Sequence, residues 1–135
     1  MSTAGGITMT DTEREAALDL ARRLSAAIAA GDRDALRAIY APDAVIWHNT
    51  DDVAQTVDQN LAVQAWLAQN MTGRRYEDVR LQATETGFVQ THVMRGRRGD
   101  TEITILACIV VTVAGGRITR LDEYLDSAHL APLLA

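Results

Sequence analysis

From Tyr76 to Leu125 the chain drops its helical hydrophobic spacing and alternates with a period of two through four consecutive segments, "YEDVRLQAT", "FVQTHVMR", "TEITILACIVVTV" and "RITRLDEYLD". The links between them are short and turn-like. Gly87 precedes the second segment, the polar tip "RGRRGD" separates the second from the third, and Gly115 and Gly116 precede the fourth. A parallel crossover needs a dozen or more residues, so these four strands are expected to meander antiparallel in one sheet.

Ahead of the sheet the spacing is helical. Thr12 followed by Glu15 is a capping-box pattern, and Ala17, Leu20, Ala21, Leu24 and Ile28 then recur at intervals of three and four until Gly31 closes the helix. Asp32 or Asp34 caps a second, shorter helix with Leu36, Ile39 and Tyr40 on one face, stopped by Pro42. Val45, Ile46 and Trp47 favour a strand ending at His48, and "NTDD" marks a loop. Thr56 with Gln59 opens a third helix running to about Asn70, with Val57, Leu61, Val63, Trp66 and Leu67 apolar. The tail "SAHLAPLLA" is expected to pack as a short turn.

This order gives an α+β domain. The apolar face of the sheet must be covered by the helices that precede it, and a sheet curled around them leaves a pocket. Residues 1–10, with Gly5 and Gly6 and no periodicity, are expected as a flexible tail, and residues 11–135 as a single domain. At 135 residues and 47% apolar content the chain can bury one core.

A net charge of −5 repels phosphate backbones, which argues against nucleic acid as a partner. The longest apolar run, "ILACIVV", is too short to span a bilayer, and "MSTAGGITMT" does not read as a signal peptide, so a cytoplasmic protein without a membrane partner is expected. Cys108 is the single cysteine and sits within that run, where it reads as a small buried hydrophobe and not as a nucleophile.

The last strand carries the sharpest chemical signal. Leu121, Glu123 and Leu125 share one face and Arg120, Asp122 and Tyr124 the other, so a glutamate lies between two leucines. If that face is the core face, a carboxylate is partly removed from water, a setting suited to a general acid or base. The alternative turns the strand over, with Ile118 and Tyr124 inward. His92 belongs with Phe88, Gln90 and Met94, and His48 ends its strand just before Asn49. Imidazole titrates near neutrality, so His48, His92 and Glu123 form a candidate catalytic set. The same three could ligate zinc or iron, but they lie on separate strands with no HxH or HxxxH pair, and neither a metal nor any other cofactor is expected. Trp47 and Trp66 can wall a hydrophobic pocket or pack in the core, Asn49 can orient a substrate carbonyl or form a turn, and Gln90 and Leu121 share the faces of His92 and Glu123. His129 reads as structural or exposed, Arg95, Arg97 and Arg98 as a solvated hairpin tip, and Tyr124 as a sheet-to-sheet dimer contact.

Three segments carry a family resemblance: "AAIAAGDRDALRAIYAPDAVIWH" over 26–48, the pair "FVQTHVMRG" and "ITILACIVVTVAGG", and "GRITRLDEYLDSAHL" over 116–130. The chain resembles the nuclear-transport-factor-2-like superfamily, which includes SnoaL-like polyketide cyclases, ketosteroid isomerases, limonene epoxide hydrolase and scytalone dehydratase. The resemblance implies a cone-shaped α+β barrel, with three N-terminal helices packed in a strongly curved, mainly antiparallel sheet. It sets His48 where the isomerases have a proton-shuttling aspartate and where the epoxide hydrolase has a water-binding asparagine. Glu123 falls at the epoxide hydrolase's water-activating aspartate, and Gln90 and His92 near its Arg and Asp pair. The isomerase's two oxyanion-stabilising positions fall on Leu24 and Cys108, which cannot do that work.

The combined expectation is a homodimeric protein that binds a small apolar molecule bearing an oxygen function. It would act by cofactor-free isomerisation, hydration, dehydration, cyclisation or epoxide hydrolysis, with His48, His92 and Glu123 catalytic and Trp47, Asn49, Trp66, Gln90 and Leu121 binding substrate. The alternative is a non-catalytic ligand-binding or dimerisation module of the same fold.

Overall fold

A computed structural model describes residues 9–135, so most of the expected N-terminal tail lies outside the described residues. Helix α1 (Asp11–Ala30) opens on a capping box two residues earlier than the sequence suggested. The Thr10 hydroxyl accepts from the Glu13 amide at 3.1 Å, and the Glu13 side chain reaches back to Thr10. Thr10/Glu13 and Thr12/Glu15 both fit the pattern, and the earlier pair wins because it lengthens the helix by a half turn while keeping Ala17, Leu20, Ala21 and Leu24 buried. Gly31 ends α1 with φ 66°, a left-handed cap that favours glycine.

Asp32 caps α2 (Arg33–Ile39), whose Leu36 and Ile39 are buried. The helix stops before Pro42 is reached, and Tyr40 already belongs to strand β1 (Tyr40–His48). Pro42 lies in an irregular stretch of β1 between Tyr40 and Val45, where the pairing register slips, as befits a residue with no N–H to give a ladder. The "NTDD" turn leads into a three-residue strand, β2 (Val53–Gln55), too short to announce itself by periodicity. Helix α3 (Val57–Asn70) begins at the expected Thr56/Gln59 capping box. Val57 and Leu61 are buried, whereas Val63 and Trp66 face solvent.

Strands β3 (Thr72–Ala83), β4 (Gly87–Arg98), β5 (Thr101–Ala114) and β6 (Arg117–Leu125) form the expected meander. The six strands order as β2-β1-β6-β5-β4-β3 in one curved, unclosed sheet, antiparallel except where β1 runs parallel to β6. The β4–β5 turn is tighter than the polar run implied, since Arg95 to Arg98 are paired in β4 and only Gly99 and Asp100 turn. In β3 the expected alternation of Val79, Leu81 and Ala83 breaks at a bulge, where Asp78 takes φ 52° and three steps on β3 match two on β4. One inserted residue flips the faces, so Leu81 is directed to the core while Val79 is exposed. The tail forms a regular helix, α4 (Ser127–Leu134), capped by Asp126. None of the helices among the described residues is long and apolar enough to cross a membrane.

The concave face, which the helices cover, holds two separate apolar clusters. One gathers Leu20, Leu24, Leu36, Ile46, Leu61, Phe88, Ile109, Val111 and Leu121; the other gathers Met71, Met94, Ile103, Ile105 and Leu133 under α4. Each fully buried aliphatic or aromatic side chain contributes about 1.5–3 kcal/mol, so these two clusters supply most of the drive to fold. Between them the concave face turns polar. Along β4 the order is Phe88, Gln90, His92, Met94, and along β6 it is Leu121, Glu123, Leu125, so each strand passes from one apolar cluster to the other through a polar belt.

Candidate active site

The parallel pairing of β1 with β6 sets His48 directly opposite Glu123. Glu123 pairs in turn with Ile109, and Ile109 with Gln90, so one row across the concave face reads His48, Glu123, Ile109, Gln90. Leu121 is 5% exposed while Tyr124 is 47% exposed, which fixes Glu123 on the core-facing side and excludes the turned-over strand. The His48 Nε2 lies 3.1 Å from Glu123 Oε1, with the two side chains 17% and 23% exposed. The pair is shielded from bulk water without being fully buried.

A carboxylate only accepts, so the short contact assigns the Nε2 proton to His48 and leaves Nδ1 as the free basic nitrogen. The hydrogen bond to Glu123 raises the His48 pKa above its usual value, against the lowering effect of burial, and the charges of Glu123 and Asp51 add to the rise. This is the arrangement of a base held by an orienting carboxylate.

His92 is 6% exposed and sits two residues from Gln90 on the same face. The Gln90 amide nitrogen lies 3.0 Å from His92 Nδ1 and 3.1 Å from the Ser25 hydroxyl on α1. With both amide hydrogens so used, Nδ1 accepts and the ring carries its proton on Nε2. Burial lowers the His92 pKa, opposed by the charge of Glu123, so the ring is held neutral. The Tyr76 ring stacks tilted on it at 4.6 Å. Burial, and after it the charge of Glu123, push the phenols of Tyr40 and Tyr76 upward. Glu123 is thus the common charge to which two histidines and two tyrosines respond. Tyr76 escaped the sequence reading because the Asp78 bulge hides its alternation with Leu81.

The remaining candidates are dispersed. Trp47 lies on the convex face, where its indole donates to Asp52 at 2.7 Å and its ring meets Tyr124 edge-on at 5.3 Å. Neighbouring residues of a strand point to opposite faces, so Trp47 and His48 cannot share a pocket wall. Trp66 lies on the outside of α3 beneath the Arg98 guanidinium, 5.7 Å from its ring centre, and Arg98 also donates to the Leu133 carbonyl of α4. The Asn49 side chain pairs with the Leu125 backbone in both directions, at 3.0 and 3.1 Å, and so ties β1 to β6 just beyond the His48–Glu123 contact instead of reaching for a ligand. Leu121 is packed in the first apolar cluster beneath Glu123. Cys108 is half-buried on the convex face and not in the core, because it pairs with Tyr124 and Thr91 one step out of phase with Ile109. His129 accepts the Leu106 amide and anchors α4 to β5. Among the described residues no three His, Cys, Asp or Glu side chains form a group that could hold a metal ion.

Comparison with known proteins places these observations in a family. The model of the SnoaL-like domain matches residues 21–121. An uncharacterised protein of Mycobacterium bovis is 37% identical over 123 residues, covering 86% of this chain and 91% of its own length. Among solved structures, an epoxide hydrolase of Mycobacterium tuberculosis resembling limonene epoxide hydrolase superposes with a TM-score of 0.75 at 19% identity, covering 90% of this chain and 92% of that one. A putative polyketide cyclase from Xanthomonas campestris superposes with a TM-score of 0.77 at 19% identity, covering 89% and 98%. At that identity the two structures share the fold with this chain, and the fold alone does not fix the chemistry.

Proposed function

From the premise that this chain belongs to the SnoaL-like domain family, we propose that it binds a small apolar molecule carrying an oxygen function on the concave face and acts on it by proton transfer. The observation that carries this reading is the 3.1 Å contact of His48 with Glu123, in a polar belt between two apolar clusters. A core built only for stability has no use for such a belt, because buried polar groups cost free energy that well-packed apolar residues do not.

In this reading His48 Nδ1 takes a proton from the substrate or from an attacking water, and Glu123 holds the resulting imidazolium. Neutral His92, with its proton on Nε2, donates a hydrogen bond to the oxygen on which charge develops. Isomerisation, hydration or dehydration, cyclisation and epoxide hydrolysis all need these parts, and positioned acid–base groups contribute typically about 10²–10⁴ each in rate. The chain functions in the cytoplasm and without a cofactor on this account.

The convex face supports a second element, a homodimer. Val79, Val93, Leu106, Cys108 and Tyr124 line a depression of about 640 Å³, to which His92 of β4 also contributes. Leu106, Val110 and Tyr124 are each more than 40% exposed, an apolar surface suited to a second copy of the same sheet.

A panel of enones, epoxides and hydroxylated aromatics, assayed for binding and turnover with wild type and His48→Ala, tests the reading. Turnover lost with binding retained supports it. Binding retained in both proteins with turnover in neither overturns it in favour of a non-catalytic module.

A further inference from the structure

Five arginines cluster where β3 meets β4, and four of them find acceptors. Arg75 and Arg95 share Glu77, Arg97 reaches the Asp100 carbonyl and Glu102, and Arg98 reaches the Leu133 carbonyl. The fifth, Arg74, differs. Its Nη1 is sealed from solvent and meets no hydrogen-bond partner among the described residues. A bulge at Gly73, with φ 63°, re-aims the chain there, and Arg74 is the inward neighbour of convex-facing Arg75.

The surroundings of Arg74 locate it. A Cβ placed on Gly31 would stand 3.4 Å from both Arg74 Nη2 and the Ala68 Cβ, so the guanidinium lies beside the C-terminal half of α3. Gln64 is one helical turn before Ala68 and therefore on the same face of α3. Its Oε1 is the other side-chain atom that is buried without a partner among the described residues. Two residues along β3 from Arg74 stands Tyr76, stacked on His92, which leads back to the polar belt. A buried donor with a full charge thus lies beside Ala68, and a buried acceptor one helical turn away on the same face of α3.

A guanidinium hydrogen and an amide oxygen left buried and unmatched are costly, and native structures seldom keep them without a function. An acceptor bearing negative charge would satisfy Arg74, and an adjacent hydroxyl would satisfy Gln64. We propose that Arg74 and Gln64 form the recognition subsite for a hydroxy-carboxylate, with the carboxylate on Arg74 and the hydroxyl donating to Gln64. This deepens the reading of the concave face given above and rests on it: the apolar body of the ligand would lie along the belt, between the subsite and His48. Burial also lowers the Arg74 pKa, opposed by the neighbouring Tyr76.

Three probes of one scaffold test the subsite by calorimetric titration: phenyllactate, its methyl ester, and 3-phenylpropanoate, which lacks the hydroxyl. Wild type is expected to favour phenyllactate over the ester by roughly tenfold or more, the scale of one charge-assisted hydrogen bond. It should favour phenyllactate over 3-phenylpropanoate by a smaller factor. Arg74→Met should abolish the preference for acid over ester, and Gln64→Met the preference for the hydroxyl. Equal binding of acid and ester by wild type, or no binding of the acid, overturns the proposal even if the Arg74 variant does not fold. His48→Ala should keep the acid preference, so a failed subsite is distinguishable from a failed base.

Discussion

Glu77 on the convex face and Glu123 on the concave face are carboxylates of the same curved sheet, and they differ most in the partner each has found. Glu77 accepts from Arg75 and Arg95, each at 2.6 Å, and the two guanidiniums hold its carboxyl below the usual carboxylate range. An arginine does not give up its proton, so this group of ions can hold strands together and do nothing else. Among the described residues no guanidinium pairs with Glu123. Its short contact is with a histidine, the one side chain that exchanges a proton near neutrality, and its surroundings are apolar on both sides. The comparison separates a carboxylate fixed by two guanidiniums from one whose partner is an imidazole.

The largest expected effect follows directly. Glu123→Gln, assayed on whichever substrate the panel identifies, should lower turnover by about 10²–10⁴. Glu77→Gln in the same assay should leave it unchanged, and an equal loss in both would erase the distinction.

The polar belt yields the next effect, on stability. Gln90→Ala opens a cavity at a 1% exposed position and strands the His92 and Ser25 groups it bonds, at a cost of about 2–4 kcal/mol in chemical denaturation. The triple replacement Ser25→Ala, Gln90→Leu and His92→Leu removes the hydrogen-bonded groups together and fills the space. It should hold or raise the melting temperature. A marked loss there would mean that the belt serves folding.

A smaller effect concerns pH. The folded His48 pKa is raised, so its contribution to stability is fully present below the unfolded value of about 6.5 and is lost as pH rises through the folded value. The folded His92 pKa is lowered, so below about 6.5 the unfolded chain takes up a proton that the folded chain refuses, and stability falls. Urea midpoints from these two groups should therefore rise as pH drops toward 6.5 and decline below it, and Glu123→Gln should remove the rising limb. The smallest effect is that of Glu77→Gln on the melting temperature. An exposed ion pair is worth little, and the change should lie within experimental scatter.

Much of this was readable in the residues. The change from helical to two-residue spacing announces the helices and the meander, and Leu121 and Leu125 flanking Glu123 raise the core face as one of two orientations, between which the burial of Leu121 and the exposure of Tyr124 decide. The opposite placement of Trp47 and His48 was equally readable, since adjacent strand residues diverge, and pairing them as one site ignored that rule. Other features lay beyond local pattern. The parallel pairing that brings His48 to Glu123 depends on strand order. The bulge that hides Tyr76 arises at an aspartate with positive φ where no glycine marks it. Arg74 stands in "GRRYED" beside another arginine, and only the packing of α3 and Gly31 around it sets the two apart.

The central claim is that Glu123 holds His48 as a proton-handling pair, and an NMR titration of the histidine ring signals in wild type and Glu123→Gln tests it most directly. The account predicts a His48 pKa above 6.5 in wild type that falls in the variant, where burial is left as the main influence, while His92 titrates below 6.5 in both. A His48 that titrates at its ordinary value and does not respond to loss of the carboxylate would contradict it.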